Sequence, residues 1–214
     1  MAASDIAAMR RDYRLAVLDE ATAGAEPVIF FQKWLEEAVA AQVDEANAMT
    51  LATAGADGQP HARIVLLKGV QEDGFVFFTN YESNKGRQLE ANHRAALLFF
   101  WKELERQVRI EGRVQVLDEK SSDAYYHSRP MGSQIGAWAS PQSQVIPDRA
   151  FLESRVAEAT ATFHDKPIRR PHFWGGYLLL PESIEFWQGR PSRLHDRILF
   201  VKENEGWQKF RLAP

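Results

Sequence analysis

The sequence predicts an α+β fold, mainly antiparallel sheet closed as a sandwich or barrel, with helices flanking it. Three observations carry the prediction. From Met49 onward, short apolar runs recur between turn residues, which is the strand signature. Asp73-Gly74 stands between two of those runs, a hairpin signal with a backbone mechanism. Helical spacing is confined to the first 43 residues, a short run at 84–92, and the stretch 121–163.

Taken in order, residues 4–20 read as a first helix, with Ser4 as cap and Ile6, Met9, Tyr13 and Val17 on one face. Thr22 to Glu26 reads as a linker. Pro27 opens a second helix to about Val43, with Phe30, Phe31, Trp34, Leu35 and Ala38 as its apolar side. Strands follow at 49–53, 61–68 and 75–79. Ser83 caps a short helix over 84–92. Strands return at 95–101 and 106–117, and consecutive strands on such turns argue for closure. Helical pattern runs from Ser121 to Ser128, stops at Pro130 and restarts near Gln134. A helix capped by Asp148 extends to Phe163. The runs 173–180, 183–187, 197–201 and 207–212 read as closing strands. The expected organisation is a helical arm and linker over 1–26 and a single domain over 27–214.

Composition excludes several functions. The 214 residues contain no Cys, so disulfides, thiolate metal sites and a cysteine nucleophile are impossible. Lys+Arg 26 against Asp+Glu 29 gives a net charge of −3. A chain-wide positive field for nucleic acid is therefore missing, and any anion site is local. The apolar run 95–101 is far shorter than the ~20 residues that span a bilayer. With no secretory pattern at the N-terminus, a cytoplasmic location is expected. The six histidines show no H-x-x-x-H pair, and Gly-rich phosphate loops and nucleophile elbows are absent. No metal site is expected.

What remains is a set of local cations. The stretch 187–197, WQGRPSRLHDR, packs three arginines, a histidine and an indole between two strands. It reads either as a solvated loop or as a surface receiving an anionic aromatic ligand, for which Arg is suited. Arg63 and Lys68 bracket an apolar strand. Lys85 lies in the first turn of a helix, where its ammonium and the free N–H groups would converge on a phosphate. Alone, each of these also fits a solvated side chain. Tyr125 and Arg129 stand at i,i+4, with Ser133 at the next break. That hydroxyl, guanidinium and hydroxyl suit a phosphate monoester. Residues 134–143 then offer amides and hydroxyls with almost no charge.

At this point the chain resembles the pyridoxine/pyridoxamine 5′-phosphate oxidase family. The matching segments are RIVLLK (63–68), FFTN (77–80), the run 83–85, ERQVRIEG (105–112), YYHSRP (125–130), SQIGAWASPQS (133–143), FWGG (173–176), IEFWQG (184–189), RLHDR (193–197) and a final RLAP. They cover nearly the whole chain, in order, and are specific together although none is so alone.

The resemblance implies an FMN-binding split β-barrel and a homodimer with FMN at the subunit interface. It implies FMN contacts at Arg63, Ile64, Val65, Leu66, Leu67, Lys68, Phe78, Thr79, Lys85, Gln107, Gln142, Ser143, Trp187 and Arg197. Substrate contacts would be Lys68, Tyr125, Arg129, Ser133, Arg193, Leu194 and His195, with Arg10 and Tyr13 from an arm that folds over the substrate. Arg193 and His195 would be the catalytic pair. The implied reaction moves a hydride from substrate C4′ to flavin N5. O2 is the acceptor, and pyridoxal 5′-phosphate and H2O2 are the products, with ammonia when the amine is oxidised. Such chemistry belongs mainly to the cofactor, which accounts for the lack of a triad or carboxylate pair. Two departures stand out. Asn84 occupies a position where the family usually has an arginine, and the tract after Tyr13 lacks the family's glycines. Two rivals remain, another FMN split-barrel reductase and a non-catalytic binder of flavin or pyridoxal 5′-phosphate.

Overall fold

The computed structural model describes residues 6, 8, 12–204 and 206–214. The chain divides into two compact units, one of residues 1–49, 97–111 and 181–214, the other of residues 50–96 and 112–180. Helices α1 (Glu20–Ala23) and α2 (Pro27–Ala40) belong to the first, with strands β8 (Asp196–Glu203) and β9 (Gly206–Arg211). The second holds most of β1 (Ala48–Ala54), then β2 (Pro60–Leu66), β3 (Gly69–Gln71), β4 (Gly74–Asn80) and α3 (Asn84–Ala91). It also holds α4 (Glu119–Ser128), α5 (Met131–Ala139) and α6 (Arg149–Thr162). Strands β5 (Arg94–Trp101), β6 (Arg106–Val116) and β7 (Trp174–Gln188) contribute residues to both. Among the described residues, hydrogen bonding orders the strands β2-β1-β5-β6-β7-β4-β3, with β8 on β7 and β9 on β8. This is the expected class, mainly antiparallel sheet with flanking helices, of split-barrel type.

In the first unit, Pro27 starts α2 where its missing N–H costs nothing. The buried face of α2 is aromatic. Phe31 packs on Phe99 at 5.0 Å, and Phe30 and Trp34 pack on Phe186 at 4.6 and 5.2 Å between ring centroids. Pairs of this kind contribute roughly 0.5–1.5 kcal/mol beyond the area they bury.

In the second unit, β4 pairs antiparallel with β3 on one edge and with residues 174–179 of β7 on the other. Strand β3 was not foreseen, being only three residues long. The register sets Phe78 opposite Gly176. A Cβ at Gly176 would lie 2.8 Å from the Phe78 ring, so only glycine lets that ring lie across the strand. The expected caps Ser83 and Asp148 each accept a backbone N–H at the start of their helix. Asp118, which the sequence reading did not name, does the same for α4, which begins at Glu119 rather than Ser121.

Two expectations are corrected. The runs 173–180 and 183–187 form one strand. Its halves pair with different partners, β4 over 174–179 and β8 over 183–188. Pro181, which has no N–H to donate, sits where the partner changes. The helix expected over 4–20 is not continuous: Ile6 and Ala8 are in a 3-10 conformation, α1 begins only at Glu20, and residues 12–19 carry no helical turn. There the N–H groups of Arg14 and Leu15 donate to the Glu105 carboxylate, and that of Leu18 donates to Asp196. Among the described residues no helix is long and apolar enough to cross a membrane.

Candidate functional site

The second unit gathers one set of the expected residues. Arg63 lies on β2, and its guanidinium donates to Leu51 O at 3.1 Å, to Thr53 Oγ1, and to Gln88 Oε1 at 3.1 Å. Every one of these partners is neutral. Lys85, in the first turn of α3, donates to Gln142 Oε1 at 3.1 Å. Burial depresses the pKa of both cations, and Arg63 depresses that of Lys85 further. Two desolvated cations therefore stand close together on neutral acceptors, Lys85 at the N-terminus of α3, whose dipole adds positive potential there. Lys68 lies beyond the end of β2 rather than on it, exposed, its N–H on Val76 O at 2.8 Å. Of the intervening positions, Ile64 is exposed, Val65 and Leu66 are half-buried, and Leu67 is in the core. Thr79 is buried on β4, and Ser143 sits in a loop with φ 71.

Beside these lies an aromatic wall. Phe78 stacks on Tyr125 at 3.9 Å with an interplanar angle of 20°, and Trp174 is near-parallel to both rings. Arg129 places its guanidinium carbon 4.5 Å above the Trp174 ring. Its Nη1 is buried without a hydrogen-bond partner among the described residues. Burial lowers the Arg129 pKa, while Tyr125 and Tyr126 oppose that. Tyr125 and Arg129 do meet, but not through helical spacing. Helix α4 ends at Ser128, and Arg129 is extended at φ −74, ψ 149, because the residue before a proline is disfavoured in the helix. Trp174 joins them instead. Ser133 follows in the first turn of α5.

The first unit gathers another set around Trp187 and His195, whose rings lie 4.5 Å apart. Tyr13 meets both edge-on, at 5.8 and 6.0 Å. His195 Nδ1 accepts the Arg190 N–H at 3.1 Å, which leaves the ring proton of the neutral form on Nε2. Its pKa is lowered from 6.5 by burial and then by Arg193, with Asp196 opposing. Arg193 and Leu194 are exposed on a turn where Ser192 and Arg193 both have positive φ, 55 and 61. Arg197 is different in kind, held two-pronged by the buried Glu185 at 2.7 and 3.1 Å. Gln107 is half-buried on β6. Arg10 lies outside the described residues.

Sequence reasoning missed Trp174, Gln88, Glu105 and Glu185. Gln88 stands at i+3 from Lys85 and was open to helical-neighbour reasoning. The carboxylates Glu105 and Glu185 left no local signal.

The comparisons with known proteins agree on one family. A family profile described as pyridoxamine 5′-phosphate oxidase matches residues 35–163, and one described as the pyridoxine 5′-phosphate oxidase C-terminal dimerisation region matches 174–214. A pyridoxine/pyridoxamine 5′-phosphate oxidase of Burkholderia vietnamiensis is 58% identical over 212 residues, covering 98% of this chain and 99% of its own. The protein of that name from Ralstonia pickettii is 59% identical, covering 99% and 100%. Among solved structures, PhzG from Burkholderia lata, in complex with tetrahydrophenazine-1-carboxylic acid, superposes with TM-score 0.87 at 31% identity, covering 94% of this chain and 99% of its own. A pyridoxamine 5′-phosphate oxidase-related, FMN binding protein from Nostoc punctiforme shares the fold alone, with TM-score 0.70 at 18% identity, covering 86% and 97%.

Proposed function

The chain belongs to the pyridoxamine 5′-phosphate oxidase family, and from that premise we propose that it oxidises pyridoxine or pyridoxamine 5′-phosphate to pyridoxal 5′-phosphate. The cofactor would be FMN, and the acceptor O2. The observation that carries the reading is Arg129, whose buried Nη1 lacks a partner among the described residues, beside an aromatic wall. A buried donor left unpaired costs free energy. A phosphate ester joined to a flat ring satisfies the guanidinium and stacks on the wall.

The residues of the second unit also fit a flavin phosphate. Arg63 and Lys85 are desolvated and rest on neutral acceptors, so an anion would relieve the cost of both. When bound, the flavin supplies the two-electron acceptor for the substrate's C4′ carbon and passes the electrons to O2, giving H2O2. The protein's part is to bind and orient. Arg129, with Lys68, Tyr125 and Ser133, anchors the ester phosphate. His195 presents an Nε2–H donor, and burial, then Arg193, lowers the pKa of its imidazole. Fixing the reacting carbon in place can supply roughly 7–11 kcal/mol of a barrier. The assembly we propose is a cytoplasmic homodimer with FMN at the subunit interface.

The test is oxygen uptake by the FMN-reconstituted protein with each phosphate ester and with unphosphorylated pyridoxine. Uptake with the esters and little without phosphate is expected. A protein that takes up no FMN ends the reading. Flavin binding without oxygen uptake would instead leave a non-catalytic binder.

A further inference from the structure

Segment 13–18 forms neither helix nor strand, and side chains from outside it take its main-chain groups one after another. Glu105 Oε2 accepts the N–H of Arg14 at 2.8 Å and of Leu15 at 3.0 Å. Arg190 Nη1 donates to Ala16 O at 3.1 Å. Asp196 Oδ2 accepts the Leu18 N–H at 3.1 Å, and Arg211 Nη2 donates to Leu18 O at 3.3 Å. Asp196 also accepts from Arg211 at 3.0 Å, so the clasp is charge-paired within itself.

Glu105 is the member with a conformational cost. It is 3% exposed and left-handed at φ 55, ψ 38. Glycine takes that backbone conformation more readily than a residue with a side chain, and an outlier of this kind points to a use for the side chain. The backbone of Glu105 fixes the end of β7, its carbonyl accepting the Gly189 N–H at 2.7 Å and Gln188 Nε2 at 3.2 Å. Its carboxylate fixes the arm. Between the two lies the seat of Tyr13. A Cβ at Gly189 would stand 2.7 Å from Tyr13 Cβ and 3.0 Å from Glu105 Cβ. The seated Tyr13 ring is the one that meets Trp187 and His195.

We infer that Glu105 is a positioning residue for substrate binding: by holding the N–H groups of Arg14 and Leu15 it seats Tyr13 against Trp187 and His195, so that Tyr13 borders the ring of the bound ester. The consequence for substrate rests on the oxidase reading above, whereas the seat itself does not. A carboxylate taking two N–H groups is the stronger kind of hydrogen bond, and burial shields it from salt.

The experiment compares Glu105→Gly, which suits the backbone and removes the carboxylate, with Glu105→Gln, which keeps an acceptor oxygen at the same reach. Amide hydrogen exchange is followed on the FMN-loaded protein, and KM and kcat are measured with pyridoxamine 5′-phosphate. In Glu105→Gly the Arg14 and Leu15 amides should exchange about tenfold faster or more. The Leu18 amide, on Asp196, serves as control and changes less. KM should rise about tenfold with kcat within about threefold, and Glu105→Gln should recover most of both. Unchanged exchange at Arg14 and Leu15 overturns the seat, and loosened amides with unchanged KM overturn the positioning role. Should Glu105→Gly fail to fold, Gly189→Ala keeps the carboxylate but drives Tyr13 out by contact. The same rise in KM and in arm exchange is expected there, and its absence overturns the inference. A parent protein without oxygen uptake would end the oxidase reading and with it the effect on KM. The seat would then stand or fall on exchange alone.

Discussion

Arg63 and Arg197 are both implied flavin contacts, yet the protein treats them differently. Arg197 is clamped by the buried Glu185, which also holds Arg109 at 2.8 Å. Its neighbours in the first unit follow suit, with Arg106 on Glu37 and Arg211 on Glu20 and Asp196. Arg63 rests on a carbonyl, a hydroxyl and an amide oxygen. Lys85 rests on an amide oxygen, and Arg129 on an aromatic face. The second unit is not short of carboxylates for such work, since Arg170 pairs with Asp123 at 2.6 Å. A cation balanced by a carboxylate is part of the fold. A desolvated cation on neutral partners costs stability, and its place is explained by a ligand that brings the countercharge.

The largest effect should come from unbalancing a balanced pair. Glu185→Gln removes the countercharge of Arg197 and one of the two that hold Arg109, which keeps Glu111 at 3.1 Å, and the Glu185 side chain is 2% exposed. Breaking a buried pair from one side costs roughly 3–5 kcal/mol. The partial exposure of both arginines brings the expectation down to about 2–3 kcal/mol. Denaturant unfolding of the FMN-loaded protein at fixed FMN measures it. A loss below about 1 kcal/mol would mean that Glu185 does not balance these charges.

The reverse sign is expected of Arg129→Met, which keeps the packing and removes a buried guanidinium nitrogen without a partner. The fold should be as stable as the parent or more so, read as an unchanged or raised midpoint in the same denaturant series. Binding should suffer, because a hydrogen bond to a charged group contributes roughly 1.5–3 kcal/mol. KM for the phosphate ester would rise about 10- to 150-fold. A variant that loses stability and keeps its KM would place Arg129 with Arg197, among the cations of the fold.

The same contrast accounts for what the sequence made legible. Unbalanced cations could be singled out because residue type and local setting mark them: Arg63 on an apolar strand, Lys85 behind a Ser cap, Arg129 four residues after Tyr125. Each signal alone also fitted a solvated side chain, and only the resemblance joined them. Strands and capped helices were likewise found, since their signals lie within a few residues. The partners of balanced cations were not found, because Glu185 meets Arg197 only through the pairing of β7 with β8. The first helix failed for a related reason. Ile6, Met9, Tyr13 and Val17 have helical spacing, but the amides of the segment are taken by Glu105 and Asp196, 90 and 178 positions away from Leu15 and Leu18. A carboxylate that wins a backbone N–H over that distance leaves no trace in local periodicity. Strand β7 was split because Pro181 reads as a break, whereas the change of partner there makes a proline tolerable.

The smallest effect concerns Asn84, where the family usually has an arginine. Arg87, one turn along α3, donates through Nη2 to Asn84 Oδ1 at 2.6 Å and through Nη1 to Glu82 O. Its guanidinium is thereby drawn back toward the N-terminus of α3, the end that carries Lys85. Among the described residues both of these partners are neutral, so Arg87 belongs with Arg63 and Lys85 as a cation without a carboxylate partner there. The expectation is that Arg87 supplies what the missing arginine would. Its exposure lets solvent screen it, so Arg87→Ala should weaken FMN binding by about 1 kcal/mol, several-fold in affinity. Asn84→Arg should gain less than about threefold while Arg87 is present, since the two cations would then repel and the Asn84 tether is gone. In the Arg87→Ala background Asn84→Arg should recover most of the loss, and a double-mutant cycle reads that coupling directly. Flavin titration of the apoprotein provides all four affinities. A neutral Arg87→Ala beside a large gain from Asn84→Arg would show that the charge is absent in this protein, and that Asn84 holds Arg87 only for the sake of the helix end.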